Sequence, residues 1–281
     1  MAAVTWAVAP ILYRRGVERI SYSGLGALRC TGYIISAALF LFFAMGPSAF
    51  APLAAGTMAR IFVYSVLWLV MGDFFYFSAL HKLGVSIAVP VTSSYPLLVV
   101  PASWIFLGEP ASPMVFAAAV LIVAGLILLS PREDNPEGKR QVFGGLLVSF
   151  LAMSCWTFGM ITNKVLMQTI PVPQLEWWRA VSVTTGSWIM FFLLERARGV
   201  ANVSRVAMTE MAIAGALGLT VGNLFLTYSY SLAPVDVVVC IASIRPFLAA
   251  LFATLFLRER LTPRLAGGIV LVFAGVMAIT F

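Results

Sequence analysis

Charged side chains are scarce in this sequence, 10% of 281 residues against 61% hydrophobic, and that shortage excludes an ordinary soluble fold, which needs polar residues to cover its outside. Histidine occurs once, as His81, so a two-histidine zinc site cannot form within the chain. Cysteine occurs three times, at Cys30, Cys155 and Cys240, each in or beside an apolar stretch. An odd number placed in this way is not a disulfide framework, and the three read as small packing residues. Walker and dinucleotide glycine motifs are absent, as are the Gly-Xaa-Gly-Asp and Gly-Xaa-Ser-Gly signatures of intramembrane hydrolases. A built-in ATPase and an intramembrane enzyme are therefore disfavoured, and no cofactor or metal is expected.

What is present is apolar sequence in runs of about 20 residues separated by brief polar breaks, with a mean hydropathy of +0.99. Runs of this length lack the alternation of a lipid-facing barrel strand, so helices must satisfy the backbone hydrogen bonds. The formal charge of +7 sits in short loops and not along a basic face, which argues for the lipid bilayer as partner and against nucleic acid. No cleavable signal peptide is evident, because the first apolar stretch runs directly into Arg14 and Arg15.

Apolar windows place spans near 1–14, 24–43, 59–80, 84–107 and 113–130, then near 143–165, 177–194, 209–232, 234–257 and 263–281. A shift of 150 residues aligns Trp6 with Trp156, Arg29 with Arg179, Gly72 with Gly222, Ser93 with Ser243 and Pro96 with Pro246. Glu109 with Glu259, Pro113 with Pro263 and Gly125 with Gly275 keep the register without a gap. The expected fold is an all-α integral membrane protein of ten transmembrane helices in two five-helix repeats, residues 1–130 and 143–281, joined by a linker at 131–142. An odd number of spans per unit inverts the second copy about an in-plane axis, an architecture found in transporters. In this register the first span would begin seven positions before Met1. Its fourteen residues rise only about 21 Å, so either the start lies upstream or this helix spans poorly.

Thirteen of the Lys and Arg residues fall in loops on one side: Arg14, Arg15, Arg19, Lys82, Arg132, Lys139, Arg140, Arg196, Arg198, Arg205, Arg258, Arg260 and Arg264. The opposite loops hold Arg60 and Lys164. The positive-inside rule makes the first side cytoplasmic and puts both termini outside.

Several short motifs recur between the halves: Trp6-Ala7, Leu28-Arg29, Tyr95-Pro96 and Leu107-Gly108-Glu109-Pro110 in the first, and Trp156, Trp178-Arg179, Arg245-Pro246 and Leu257-Arg258-Glu259-Arg260-Leu261-Thr262 in the second. Through these the chain resembles the EamA-like branch of the drug/metabolite transporter superfamily over nearly its whole length. The resemblance implies export or exchange of a small-molecule substrate, with spans three, four, eight and nine around a central cavity. It also implies cytoplasmic termini, contrary to the charge count. The expected location is multi-pass in the cell membrane of a prokaryote.

Within the spans, the candidate substrate-cavity residues are Trp6, Asp73, Tyr76, Phe77, Ser93, Tyr95, Trp156, Asn163, Asn223, Thr227, Ser243 and Arg245. A cation at the centre of a span costs about 2.5 to 3.5 kcal/mol unless it meets a cavity or a partner. Arg245 is accordingly read either as the contact for an anionic substrate group or as the ion-pair partner of Asp73. Asp73, with Asn223 as its repeat mate, is a candidate proton-coupling carboxylate or a hydrogen-bonded packing residue. Tyr76, Phe77 and Thr227 share their faces one turn on. Trp6 and Trp156 wall the cavity or anchor at the interface, and Asn163 lies two turns beyond Trp156. Pro90, Pro96, Pro101 and Pro246 mark bends in the fourth and ninth spans. Lys164 is read as snorkelling to the interface, and Arg29 and Arg179, at the start of their spans, either as snorkelling or loop-bracing residues or as contacts for the substrate. Glu109 and Glu259, before Pro113 and Pro263, read as structural braces at helix N-termini, with Ser112 and Thr262 as N-caps. Ala117-Ala118 and Gly267-Gly268 offer small surfaces for packing within the chain or for a homodimer through the fifth and tenth spans. A lipid-carrier flippase of the same fold is the alternative function.

Overall fold

A computed structural model of the chain describes residues 2–6, 20–83, 88, 91–110, 112–129, 139–195, 205–242, 244 and 248, with 263, 267, 268, 270, 271, 274, 275 and 278. Every regular element among the described residues is helical. In chain order the long elements are α1 (Tyr22–Met45), α2 (Ala55–Leu83), α3 (Pro96–Leu107), α4 (Pro113–Leu129), α5 (Lys139–Leu166), α6 (Val172–Glu195), α7 (Arg205–Leu232) and α8 (Val235–Ala242). Residues 2–6 are helical as well. α1, α2, α7 and the Val142–Leu166 part of α5 are long and apolar enough to cross a membrane.

Local chemistry sets the helix ends. Ser21 caps α1 by accepting a hydrogen bond from the Gly24 amide at 3.1 Å, and Gly46, at φ +71°, ends it in a conformation open to residues without a Cβ. Pro113 opens α4, where its missing N–H costs nothing. The fourth apolar stretch changes its hydrogen bonding: residues 91 and 92 are helical, Ser93–Tyr95 form a turn closed by bonds three residues apart, and α3 begins at Pro96. Of the prolines read as bends, Pro96 stands at this interruption, where it has no N–H to continue the helical ladder, and Pro101 lies inside α3; Pro90 and Pro246 lie outside the described residues. Ile244, the residue 150 positions after Ser94, also lies in a turn.

The 150-residue register recurs in the element boundaries. α1 and α6 both run 24 residues from positions 150 apart, and α2 and α7 start at Ala55 and Arg205. Each of the latter pair is interrupted by a π segment, Val66–Met71 in α2 and Ala216–Gly222 in α7, a wide turn that is common at functional sites.

α1 and α6 lie side by side and antiparallel. The Ser23 hydroxyl donates to the Glu195 carboxylate at one end, and at the other Trp178 Nε1 donates to the Ala51 carbonyl at 3.1 Å. Between them Thr184 donates to the Cys30 carbonyl at 3.0 Å, and Trp188 to Thr31 at 3.1 Å. α1 also crosses α7 at backbone contact: a Cβ on Gly32 would stand 2.0 Å from the Ala212 carbonyl oxygen, and one on Gly215 1.9 Å from that of Arg29. Only glycine admits this approach, which is how helices associate where lipid supplies no hydrophobic drive. The outward positions carry the apolar surface expected of a lipid-facing protein, among them Ile35, Phe43, Leu193 and Leu194.

Candidate functional site

The interior formed by α1, α2, α5, α6 and α7 holds charge that the bilayer would not tolerate on its lipid side. Arg29 on α1 pairs with Asp73 on α2, and its guanidinium carbon lies 5.3 Å from the Phe77 ring centroid. Arg179 on α6 donates to Glu176 Oε1 at 2.7 Å, one turn back on the same helix, and its guanidinium lies 4.8 Å from the Trp68 ring. Arg29 and Arg179 are 5% and 1% exposed, so neither snorkels, and of their two readings the interfacial or loop-bracing one is corrected while substrate contact stays open. A buried guanidinium needs an anion and an aromatic face to offset its lost hydration, and each has found both.

A polar network surrounds Arg179. It donates to Asn163 Oδ1 and to Thr227 Oγ1 at 3.4 Å; Thr227 donates in turn to Glu176 Oε1 at 2.6 Å, and Asn163 Nδ2 donates to Thr227 at 3.3 Å. Four side chains from α5, α6 and α7 are thereby locked together, all buried. Because α1 and α6 are antiparallel and Cys30 sits level with Ser187, the two arginines are separated by about 12 Å along the helix axes. A small cleft between α1 and α7 reaches the second network, lined by Tyr33, Ala37, Phe40, Leu41, Glu176, Thr220 and Leu224.

The aromatic candidates lie in the same interior. Trp156 is buried, its ring 5.4 Å from Tyr76 and 6.3 Å from Tyr95, and Phe77 packs beside Tyr76. Trp156 also sits over Gly72, where a Cβ would stand 2.7 Å from Cδ1; Trp6 sits over Gly222 in the same way and donates Nε1 to the Gly218 carbonyl at 2.8 Å. Neither tryptophan is a free interfacial anchor. Ser93 and Tyr95 are buried within the turn that precedes α3, and Asn223 is buried at the end of the α7 π segment.

Three further residues find unexpected partners. Lys164, read as snorkelling, donates to the Tyr230 carbonyl and to that of Ala233 at 3.5 Å, so it serves the unsatisfied end of α7. Glu109 accepts the Val235 amide at 2.9 and 3.0 Å on its two oxygens and so caps α8, a helix of the other half, whereas Ser112 caps its own α4 with a contact of 3.4 Å to the Val115 amide. Asp236 accepts from Trp104 Nε1 at 3.1 Å, which ties α3 to α8. Ser243, Arg245, Pro246 and Glu259 lie outside the described residues.

Glu176, Tyr33 and Trp68 belong to this site and were not singled out from the sequence. The available signal was an Asp or Glu within one turn of an arginine in an apolar span, as Glu176 is to Arg179. Among the described residues, no three His, Cys, Asp or Glu side chains converge as a metal site would require.

Comparison with known proteins bears on this arrangement. A family model described as the EamA-like transporter family matches residues 1–130 and 143–281. A protein of Archaeoglobus fulgidus described as an uncharacterized transporter is 25% identical over 276 residues, covering 98% of this chain and 94% of its own. A solved crystal structure superimposes with a TM-score of 0.79 over 99% of this chain and 93% of that one, at 20% identity, a likeness of fold alone.

Proposed function

Since the chain belongs to the EamA-like transporter family and is a membrane transporter, we propose that it works as a secondary carrier, an exporter or exchanger of a small metabolite such as an amino acid or organic anion. The observation that carries this reading is the pair of buried Arg–carboxylate clusters inside helices that face lipid on their other side, because intramembrane ionisable groups are retained where a substrate or ion must pass.

Transport would proceed by alternating access of a cavity enclosed between two inverted five-span repeats. Support for that architecture comes from the boundaries of α1 and α6, their antiparallel packing, and the reciprocal seating of Trp6 on Gly222 and Trp156 on Gly72. In an inverted repeat a contact from the first half to the second must be matched by one from the second to the first. The π segments and the turn at Ser93–Tyr95 supply places where helices can bend as the halves rock. Asp73 remains the candidate proton-coupling carboxylate, now with Arg29 as the cation it would leave on protonation. The proposed location is the cell membrane of a prokaryote, in keeping with the archaeal relative.

A second reading, translocation of a lipid carrier, is favoured by one feature: Ala37, Leu41 and Leu224 give the cleft between α1 and α7 an apolar part, with the half-exposed Phe40 at its edge. Counterflow in proteoliposomes separates the two. Trans-stimulated uptake of a soluble compound from a labelled metabolite library supports the carrier; movement of labelled polyprenyl phosphate with no soluble uptake supports the flippase; silence in both overturns the proposal.

A further inference from the structure

The two halves hold the same cation in the same place and give it different partners. Arg29 and Arg179 occupy equal positions in helices of equal length, and Asp73 and Asn223 are equivalent positions on α2 and α7. In the first half the Asp73 carboxylate crosses from α2 to reach Arg29. In the second half that position is the amide Asn223, and the carboxylate comes instead from Glu176 on Arg179's own helix, where the first half has Gly26.

This exchange leaves donors around Arg179. Asn223 Nδ2 and the hydroxyl of Tyr230 are buried and donate to no group among the described residues, and the buried Tyr33 hydroxyl faces the Glu176 carboxylate. Both tyrosines interact electrostatically with Arg179, Tyr33 with Glu176 as well, and Asn223 lies one helical turn from Thr227, which Arg179 contacts. Buried donors are ordinarily matched by an acceptor, so two unmatched ones, with the Tyr33 hydroxyl that faces Glu176, make the surroundings of the Arg179–Glu176 pair complementary to an oxyanion. Glu176 fills part of that role with Oε1, which accepts from Arg179 and Thr227, and it lines the cleft beside Tyr33.

We propose that Arg179, Asn223, Tyr33 and Tyr230 form a recognition site for the carboxylate of a small organic acid, and that Glu176 holds Arg179 as a tethered substitute until that carboxylate arrives. A carboxylate is favoured over a phosphate because the equivalent place in the first half is filled by one, that of Asp73. Arg179 stays neutralised throughout, and the displaced Glu176 carboxylate, which cannot leave, keeps the Thr227 hydroxyl as a donor and turns into the cleft it lines, where it takes up water or a proton. This deepens the carrier reading and rests on it only for the role of the bound acid.

The test is equilibrium binding of radiolabelled benzoate to the purified full chain in lipid nanodiscs, with benzyl alcohol, benzylamine and phenyl phosphate as competitors. The expected result is saturable binding that the alcohol and the amine do not displace and that phenyl phosphate displaces poorly. Arg179→Gln should weaken binding about tenfold or more, as loss of a charge-assisted bond does. Glu176→Gln should tighten it, because the competitor for Arg179 is gone, whereas a purely structural ion pair predicts loss. Tyr33→Phe and Asn223→Leu, which leave the ion pair intact, should each weaken it, and they decide the matter if Arg179→Gln does not fold. No saturable benzoate binding, weaker binding in folded Glu176→Gln, or unchanged binding in Tyr33→Phe and Asn223→Leu overturns the proposal; equal displacement by phenyl phosphate overturns the restriction to carboxylates. Binding without counterflow of any solute would instead count against the carrier reading and leave the site standing.

Discussion

The Trp156 indole on α5 lies against Gly72 on α2 so closely that a Cβ on that glycine would stand 2.7 Å from Cδ1, and 150 residues away Trp6 lies against Gly222 in the same manner, with 2.4 Å to Nε1. The tryptophan of each half thus seats on the glycine of the other, at the end of a π segment. Gly72→Ala should destabilise the protein by about 1 to 3 kcal/mol through overpacking. Adding Trp156→Phe should recover part of that loss, because the smaller ring makes room. Thermal unfolding in detergent measures both, and additive effects of the two changes would show that the indole and the glycine are not coupled.

Arg29 and Asp73 form a pair whose partners come from different helices, and removing either one takes this contact from the other's buried charge. Arg29→Gln or Asp73→Asn should each cost about 3 to 5 kcal/mol, while the double change to Arg29→Met and Asp73→Leu should lie much closer to the wild type. Melting curves of the three variants would check this. A double variant as unstable as the singles would mean that Arg29 is held by other contacts.

Glu109 joins the first half to the second by accepting the amide at the start of α8. Glu109→Ala should cost about 1 kcal/mol, the value of a helix cap, and should raise hydrogen exchange locally around Val235. Unchanged exchange there would remove the capping role.

The apolar helices, four of them long enough to cross a membrane among the described residues, and the 150-residue offset from α1 to α6 and from α2 to α7 were legible in the sequence because hydrophobic runs and rare residue types such as Trp and Gly mark them directly. The charged interior was less so, for a physical reason. An apolar window starts where polar residues stop, which placed the second and seventh spans at 24 and 177, but α1 and α6 begin at Tyr22 and Val172. Arg29 and Arg179 are therefore about two turns inside their helices, at a depth from which a side chain meets partners before it meets water, and Glu176 lies inside the helix although it precedes the window. Lys164 does reach toward the end of its span, and the sequence could not show that the α7 carbonyls would meet it there. The membership of Asp73, Tyr76, Trp156, Asn163 and Thr227 in one interior could be anticipated from face and register. Their partners could not, since Asp73–Arg29 and Asn163–Arg179 depend on how α1 and α6 cross the other helices.

The side of the membrane on which each loop lies follows from contacts between helix ends. Ser23 meets Glu195, Tyr22 stacks on His81 at 4.3 Å, and Gly144 lies beside Lys82, so the start of α1, the end of α2, the start of α5 and the end of α6 share one face. Gln174 and Trp178 meet Ser48 and Ala51 on the other. The ends of α2 and α5 that carry Lys82 and Lys139 lie on the first face, and the positive-inside rule predicts that it is cytoplasmic. Ser48 and Lys82 are exposed on opposite faces. With the native cysteines changed to alanine, Ser48→Cys in intact cells should react with a membrane-impermeant maleimide, while Lys82→Cys should react only after lysis. The reverse pattern would mean that the chain inserts against its charge bias, with the Arg179 network on the cytoplasmic side of the Arg29 pair instead of the outer one.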